Sequence, residues 1–175
     1  MMNSEILNGI KERRSCRKYK AEQIKDCELD TVLEAATYTP TGMNRQAPKM
    51  VVVQDKETIE ILRKLNAEFM GNSDADPFYG APTVVIVFSD KNVSTHFEDG
   101  SLVMGSLMLA AHAVGLGSCW IHRARQTFET ETGKALMKKW GVSDDYVGIG
   151  NCILGYADCE HPDARPRKED YILKV

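Results

Sequence analysis

The chain has 175 residues, with 22 Lys+Arg against 25 Asp+Glu and a formal net charge of −3. That length suits one domain, residues 1–175, able to bury roughly 68–70% of its unfolded surface without disulfide or metal staples. At 43% hydrophobic and 27% charged residues, the composition excludes disorder and collagen-like structure, and the charge argues against a general nucleic-acid-binding surface. The charge is unevenly spread. Lys11–Lys20 (KERRSCRKYK) holds six cations and one acid, and His161–Lys168 (HPDARPRK) holds three cations and one acid. Together these windows net +7, so the rest of the chain nets −10.

The N-terminal stretch has no apolar run of signal-peptide length, and charge arrives by Glu5. The most apolar stretch, Gly100–Leu116, contains glycines, serines and His112, and falls short of a membrane span. The five cysteines are odd in number and form no CxxC pair. They suggest no disulfide framework, and a reduced, cytoplasmic protein is expected.

In chain order, Ser4 is a candidate cap for a helix carrying Ile6, Leu7 and Ile10. Asp26 is expected to cap a second helix, where Leu29, Val32, Leu33 and Ala36 follow the i, i+3, i+4, i+7 rule. Lys49–Gln54 reads as a buried strand, Lys56–Met70 as an amphipathic helix and Thr83–Phe88 as a second strand. Phe97–Val114 is a long helix with little polar face; its Gly100–Ala113 stretch is apolar nearly all round, which predicts burial nearly all round, against a second subunit or as the central core helix of a monomer. Ser118–His122 is a strand, Thr127–Trp140 a helix closed by Gly141, and Val147–Tyr156 a strand. Tyr171–Val175 (YILKV) is a candidate fifth strand. Several helices on a small, largely buried sheet predict a three-layer α/β/α arrangement.

The familiar chemical motifs are missing. GLGSCW (Gly115–Trp120) lacks the third glycine of a dinucleotide fingerprint and leads from helix to strand, the reverse of the required order. GIGNCI (Gly148–Ile153) fails likewise. There is no P-loop, no HExxH, no zinc spacing and no GxSxG elbow. Cys119 lies in an apolar strand, where a thiol is generally inert. No catalytic side chain and no metal site is expected. Such a chain can still be an enzyme if a cofactor carries the chemistry.

Four segments have the makings of a binding site. Arg13, Ser15 and Arg17 are two apart and share one face of an extended segment that also holds Arg14. Guanidinium forks match phosphate oxygens. Arg165-Pro166-Arg167 repeats that spacing on a stiffened backbone. Thr39–Gln46 is turn-rich, and Asn44 and Gln46 offer both donors and acceptors. Trp120, Ile121 and His122 end a strand, where Trp and Ile can pack beside a flat ring. Each segment alone also reads blandly, as a solvated basic turn, a basic loop, a polar connection or a core strand.

In this order, RRSCRKY, TPTGMNRQAP, FEDGSLVMGSLMLAAHAVGLGSCWIHRA, IGNCILGYAD and PDARPRKEDY resemble the FMN-dependent nitroreductase family across nearly the whole chain. The resemblance implies an α+β fold, three-layer α/β/α around a mixed, mostly antiparallel sheet. It also implies a homodimer with two FMN sites at the subunit interface. Arg13 and Ser15 would contact the FMN phosphate, with Arg14 lining the same segment and Arg17 nearer the flavin N1/O2 edge. Arg165 and Arg167 match the C-terminal phosphate contacts. Thr41, Gly42, Met43 and Asn44 match a loop given by the other subunit, and Gln46 continues that motif. Trp120, Ile121 and His122 match the strand end beside the flavin, where a backbone N–H faces N5.

The implied activity is ping-pong hydride transfer from NADH or NADPH, through FMN, to nitroaromatics, quinones or similar small electron-poor acceptors, with no nucleic-acid or membrane partner. The alternatives are a non-catalytic flavin- or nucleotide-binding module, or a specialised reductase acting in dehalogenation or enone reduction. The chain departs from the family pattern at Ala47-Pro48-Lys49, where Pro-Trp is common after the Gln. It departs again at His122-Arg123, where some members have an acid and a glycine. YILKV would be the remnant of a strand reaching the partner.

Overall fold

The computed structural model describes residues 4–175; the first three residues of the expected domain lie outside it. Ten elements follow one another: α1 (Glu5–Glu12), α2 (Asp26–Thr37), β1 (Pro48–Val53), α3 (Lys56–Met70), β2 (Thr83–Asp90), α4 (His96–Ala113), β3 (Gly117–Ile121), α5 (Ala124–Glu129), α6 (Glu131–Lys139) and β4 (Tyr146–Gly155). The strands form one antiparallel sheet in the order β1-β2-β4-β3. The expected parallel contribution is a single bridge, Ser15 to Ser118, at the β3 edge.

The two central strands are apolar on both faces because each face is covered. Thr83–Ser89 of β2 and Gly148–Gly155 of β4 are buried. On one face Leu62, Phe128, Leu136 and Met137, from α3, α5 and α6, pack on Val84, Ile86 and Ile153. On the other, Leu29, Val32 and Ala36 of α2 and Val103, Met104, Leu107 and Ala111 of α4 pack on Val85, Val87 and Leu154. This is the expected α/β/α sandwich. No helix among the described residues is long and apolar enough to cross a membrane.

Several expectations change. β1 is an edge strand rather than a buried one: Lys49 and Val52 are exposed, and Pro48 sits at its first position, where a missing N–H is tolerated. Lys25, not Asp26, occupies the N-cap of α2, and its backbone N–H donates to the Glu28 carboxylate. The single helix expected over Thr127–Trp140 is two helices. Thr130 is extended between them, donates to the Thr127 carbonyl and accepts from the Gly133 N–H, so its hydroxyl starts a new helix. Tyr171–Val175 forms no strand, and Tyr171, Ile172, Leu173 and Val175 are exposed. A short apolar segment with no neighbouring edge has nothing to pair with.

The segment after α1 is laid against the sheet by glycines. Gly117 and Gly155 are cross-strand partners at the ends of β3 and β4. A Cβ on Gly117 would lie 2.9 Å from Cys16 Cβ and Sγ, and one on Gly155 would lie 2.8 Å from Tyr19 Cδ1. Tyr19 and Cys16 fill that Cβ-free patch, and the Tyr19 hydroxyl donates to the Cys16 carbonyl at 2.9 Å. Backbone bonds complete the docking: Cys16 N–H to the Ser118 carbonyl, Lys20 N–H to Tyr156 and Asp158 N–H to Lys18. The substitution Gly117→Ala should therefore cost about 1–3 kcal/mol by overpacking. Thermal unfolding should show a midpoint several degrees lower than in the parent; an unchanged midpoint would contradict this docking.

Candidate functional site

The two basic windows meet. Arg13, Arg14, Ser15 and Arg17, leaving α1, and Arg165 and Arg167, near the C-terminus, line one cleft of about 1070 Å³. Asp163 is the only acid in its wall. The described residues form seven ion pairs, and none involves any of these five arginines. Arg14 is partly committed: its Nη1 donates to the Lys11 and Arg13 carbonyls, both at 2.7 Å, which satisfies the C-terminal end of α1. Arg167 donates to the Arg165 carbonyl through Nε and Nη2. Arg13 Nη1 and Arg14 Nε are buried without a hydrogen-bond partner. Buried donors of this kind are costly to leave unpaired. A cleft walled by five arginines and Lys11 against one acid suits a dianionic oxygen group such as a phosphate.

The Thr41–Gln46 loop is elsewhere. Gly42–Asn44 is one 3-10 turn, and Met43, Asn44 and Gln46 all have positive φ. The Gly42 N–H donates to Asp99 Oδ1 at 2.9 Å, while the Thr95 hydroxyl donates to Asp99 Oδ2 at 2.9 Å. A Cβ on Gly42 would collide with Thr95 Oγ1. The Gln46 N–H donates to Thr41 Oγ1, and its side-chain amide reaches Asn44 Oδ1 at 3.4 Å. Thr41 and Gln46 border a small separate pocket of about 150 Å³, and Met43 is fully outward. This loop is tied to the first turn of α4. Gly9 of α1 faces Leu109 and His112, in its last turns. Ten residues of helix span about 15 Å. Within one copy the loop and the arginine cleft therefore lie toward opposite ends of α4.

The strand end is only partly open. Ile121 is buried in one core and Trp120 is half-buried against the other. Only the His122 side chain is exposed, so Ile121 can offer a ligand its backbone alone. β3 is an edge strand, which leaves half of its backbone N–H groups pointing away from β4. Asn66, fully buried, donates through Nδ2 to the His122 carbonyl at 2.7 Å. Arg123 follows at φ 77, a conformation that favours glycine.

Sequence reasoning passed over Asp99, Thr95, Asn66 and Tyr19, which hold the site segments in place. Asp99 carried a usable signal: with Glu98 it opens a largely apolar helix, and a carboxylate buried there needs partners.

The nitroreductase family model matches residues 10–156. The chain belongs to the nitroreductase family. A nitroreductase with bound FMN from Bacteroides fragilis is 28% identical, with a TM-score of 0.90 over 99% of this chain and 100% of that one. An FMN-dependent nitroreductase from Clostridium difficile is 27% identical, with a TM-score of 0.89 over 99% of this chain and 100% of that one. An FMN reductase [NAD(P)H] of Bacillus subtilis is 25% identical over 145 residues, 70% of this chain and 55% of that protein. This nitroreductase-family chain thus has the α+β fold of its solved relatives.

In this member of the family the buried Asp99 carboxylate organises the Gly42 turn. Asp99→Ala should leave the Gly42 N–H unpaired and cost about 1–3 kcal/mol. The expected readout is a lower unfolding midpoint, together with faster amide exchange at Gly42 than at the core strands. Parent-like exchange at Gly42 would refute the role.

Proposed function

We propose that this chain is an FMN-dependent NAD(P)H oxidoreductase whose arginine cleft holds the cofactor phosphate. The single observation that carries the reading is the convergence of five arginines, none in an ion pair among the described residues, on one cleft. FMN presents a phosphate of the matching charge and supplies hydride exchange between a nicotinamide donor and an electron-poor acceptor. FMN in the solved relatives from Bacteroides fragilis and Desulfitobacterium hafniense supports the same cofactor here.

The residues divide the work by chemistry. Arg13 would hold phosphate oxygens through its guanidinium, and Ser15 adds a short hydroxyl donor. Arg165 and Arg167 close the cleft from the C-terminal side, and the Pro between them keeps both on one segment. Arg17, exposed at the far end of the N-terminal segment, sets a fixed cation where an N1/O2 ring edge would gather negative charge, and so favours reduction. The outward N–H groups of β3 and the exposed His122 border the reactive face. The acceptor class in this reading is nitroaromatics, quinones and similar small molecules.

A homodimer completes the site. The Thr41–Gln46 loop cannot share a ring with the arginine cleft of its own chain, since the two sit toward opposite ends of α4. A twofold partner can bring its loop across. An open apolar surface supports this arrangement. No residue of α1 is buried, and Ile6 is 70% and Ile10 58% exposed. On α4, Leu102 is 49% exposed and a Cβ on Gly105 would meet nothing. Contiguous apolar faces of this kind mark subunit contacts.

Two outcomes test the reading. The protein should purify yellow or bind added FMN, and Arg13→Ala should weaken FMN affinity about 10- to 100-fold, the size of one lost charge-assisted bond, with an unchanged far-UV spectrum. A colourless parent that cannot be reconstituted, or equal affinity in the variant, would sink the assignment. Sedimentation should give twice the 19.6 kDa chain mass, and Gly105→Glu should shift it toward the monomer with loss of flavin-dependent turnover.

A further inference from the structure

Beside the arginine cleft lies a second cavity, of about 260 Å³, whose wall includes Cys16, Cys159, His112 and His161. Cys16 Sγ and Cys159 Sγ are 3.8 Å apart, although 143 positions separate them in sequence. The chain on either side is already fastened. Cys16 N–H bonds to Ser118, Tyr19 bridges Ala157, and Lys18 and Asp158 are joined by a backbone bond and a 3.0 Å ion pair. Closing to the roughly 2.05 Å of a disulfide needs only a small movement of the exposed Cys159 side chain. The pair also occupies a telling position. Cys16 lies between Ser15 and Arg17, and Cys159 opens the segment that leads to Arg165 and Arg167.

We propose that Cys16 and Cys159 are a redox-responsive thiol pair, whose disulfide ties together the two arginine-bearing segments of the cleft. The oxidant is a peroxide, small enough for the cavity. The exposed Cys159 thiolate attacks one peroxide oxygen, the O–O bond breaks, and the leaving hydroxide takes a proton to become water. The resulting Cys159 sulfenic acid is attacked by Cys16 sulfur. The S–O bond breaks, the disulfide forms, and the Cys16 thiol proton leaves with the hydroxide as a second water. Two thiols are oxidised by two electrons, and one peroxide is reduced to two waters. Their roles follow from their surroundings. Cys16 is buried and donates its S–H to the Lys18 carbonyl at 3.2 Å, and burial pushes its thiol pKa up, so it serves as the resolving thiol. A metal is the competing use of cysteines and histidines around one cavity. Among the described residues no three ligating groups converge to hold one.

The covalent step is independent of flavin. Its effect on the cleft rests on the FMN reading, so the two are measured separately. The full chain carrying Cys27→Ser, which removes the other exposed cysteine, is treated with stoichiometric hydrogen peroxide. Free thiols should fall from four to two per chain with the loss of two hydrogens in mass. Peptide mapping should link Cys16 to Cys159, and dithiothreitol should reverse the change. Cys159→Ser, at an exposed position, should abolish the link. The oxidised protein should release bound FMN more slowly than the reduced protein, and the difference should vanish in Cys159→Ser. Four thiols retained, Cys159 carried on to sulfinic acid without a link, or stoichiometric zinc held by these thiols would overturn the pair. A link with equal FMN release in both states would overturn the coupling to the cleft and leave the cofactor reading intact.

Discussion

The structure depends on a patch of sheet without side chains. Gly117 and Gly155 face each other across β3 and β4, and Tyr19 and Cys16 occupy the space their missing Cβ atoms leave. Antiparallel partners stand about 4.5–5.5 Å apart, so two glycines opposite one another open a shallow recess wide enough for an aromatic ring. Tyr19 uses it fully. Its ring is buried, its hydroxyl is spent on the Cys16 carbonyl, and its backbone bridges Ala157. Deep desolvation lifts its phenol pKa far above the ordinary value, so the hydroxyl stays a donor. Any side chain at either glycine displaces the N-terminal segment as a whole.

From that anchor the positive cleft follows. Holding Cys16 to Ser118 fixes Ser15 and Arg17 on either side, and the bonds from the Asp158 N–H to Lys18 and from the Lys20 N–H to Tyr156 bring the two arginine-bearing segments side by side. Cations distant in sequence then line one cleft instead of pairing with the acids that outnumber them elsewhere. Repulsion among these guanidiniums disfavours the cleft without an anion. Binding a dianion offsets that repulsion. In the proposed reading, cofactor affinity and local order are coupled through the same side chains.

The helix α4 plays a different part. Its inward stripe, Val103, Met104, Leu107 and Ala111, closes one core. Its first turn holds the Gly42 loop through Asp99, and its last turns receive α1. It is a spacer as much as a core element, and sets the distance between the Gly42 loop and the arginine cleft. Its outer side carries small exposed residues, Ser101 and Gly105.

The sequence by itself determined the layers and the charges. Hydrophobic periodicity marked most helices and strands, because each buries one stripe or both faces, and that requirement is local. The basic windows were equally legible, since composition alone sets them apart from an acidic chain, and the ordered motifs pointed to the family. Tertiary structure decided the rest. It divided the Thr127–Trp140 helix at Thr130, where a side-chain cap outweighed helix propensity. It left YILKV unpaired, since a strand needs an edge that no local pattern supplies. It placed the arginines on one cleft and the Thr41–Gln46 loop away from it, because the length of α4 separates them. It also brought Cys16 and Cys159 into contact, a proximity that long-range backbone pairing creates and residue spacing cannot encode. The charge of −3 concealed two clusters. The fold made them a single field.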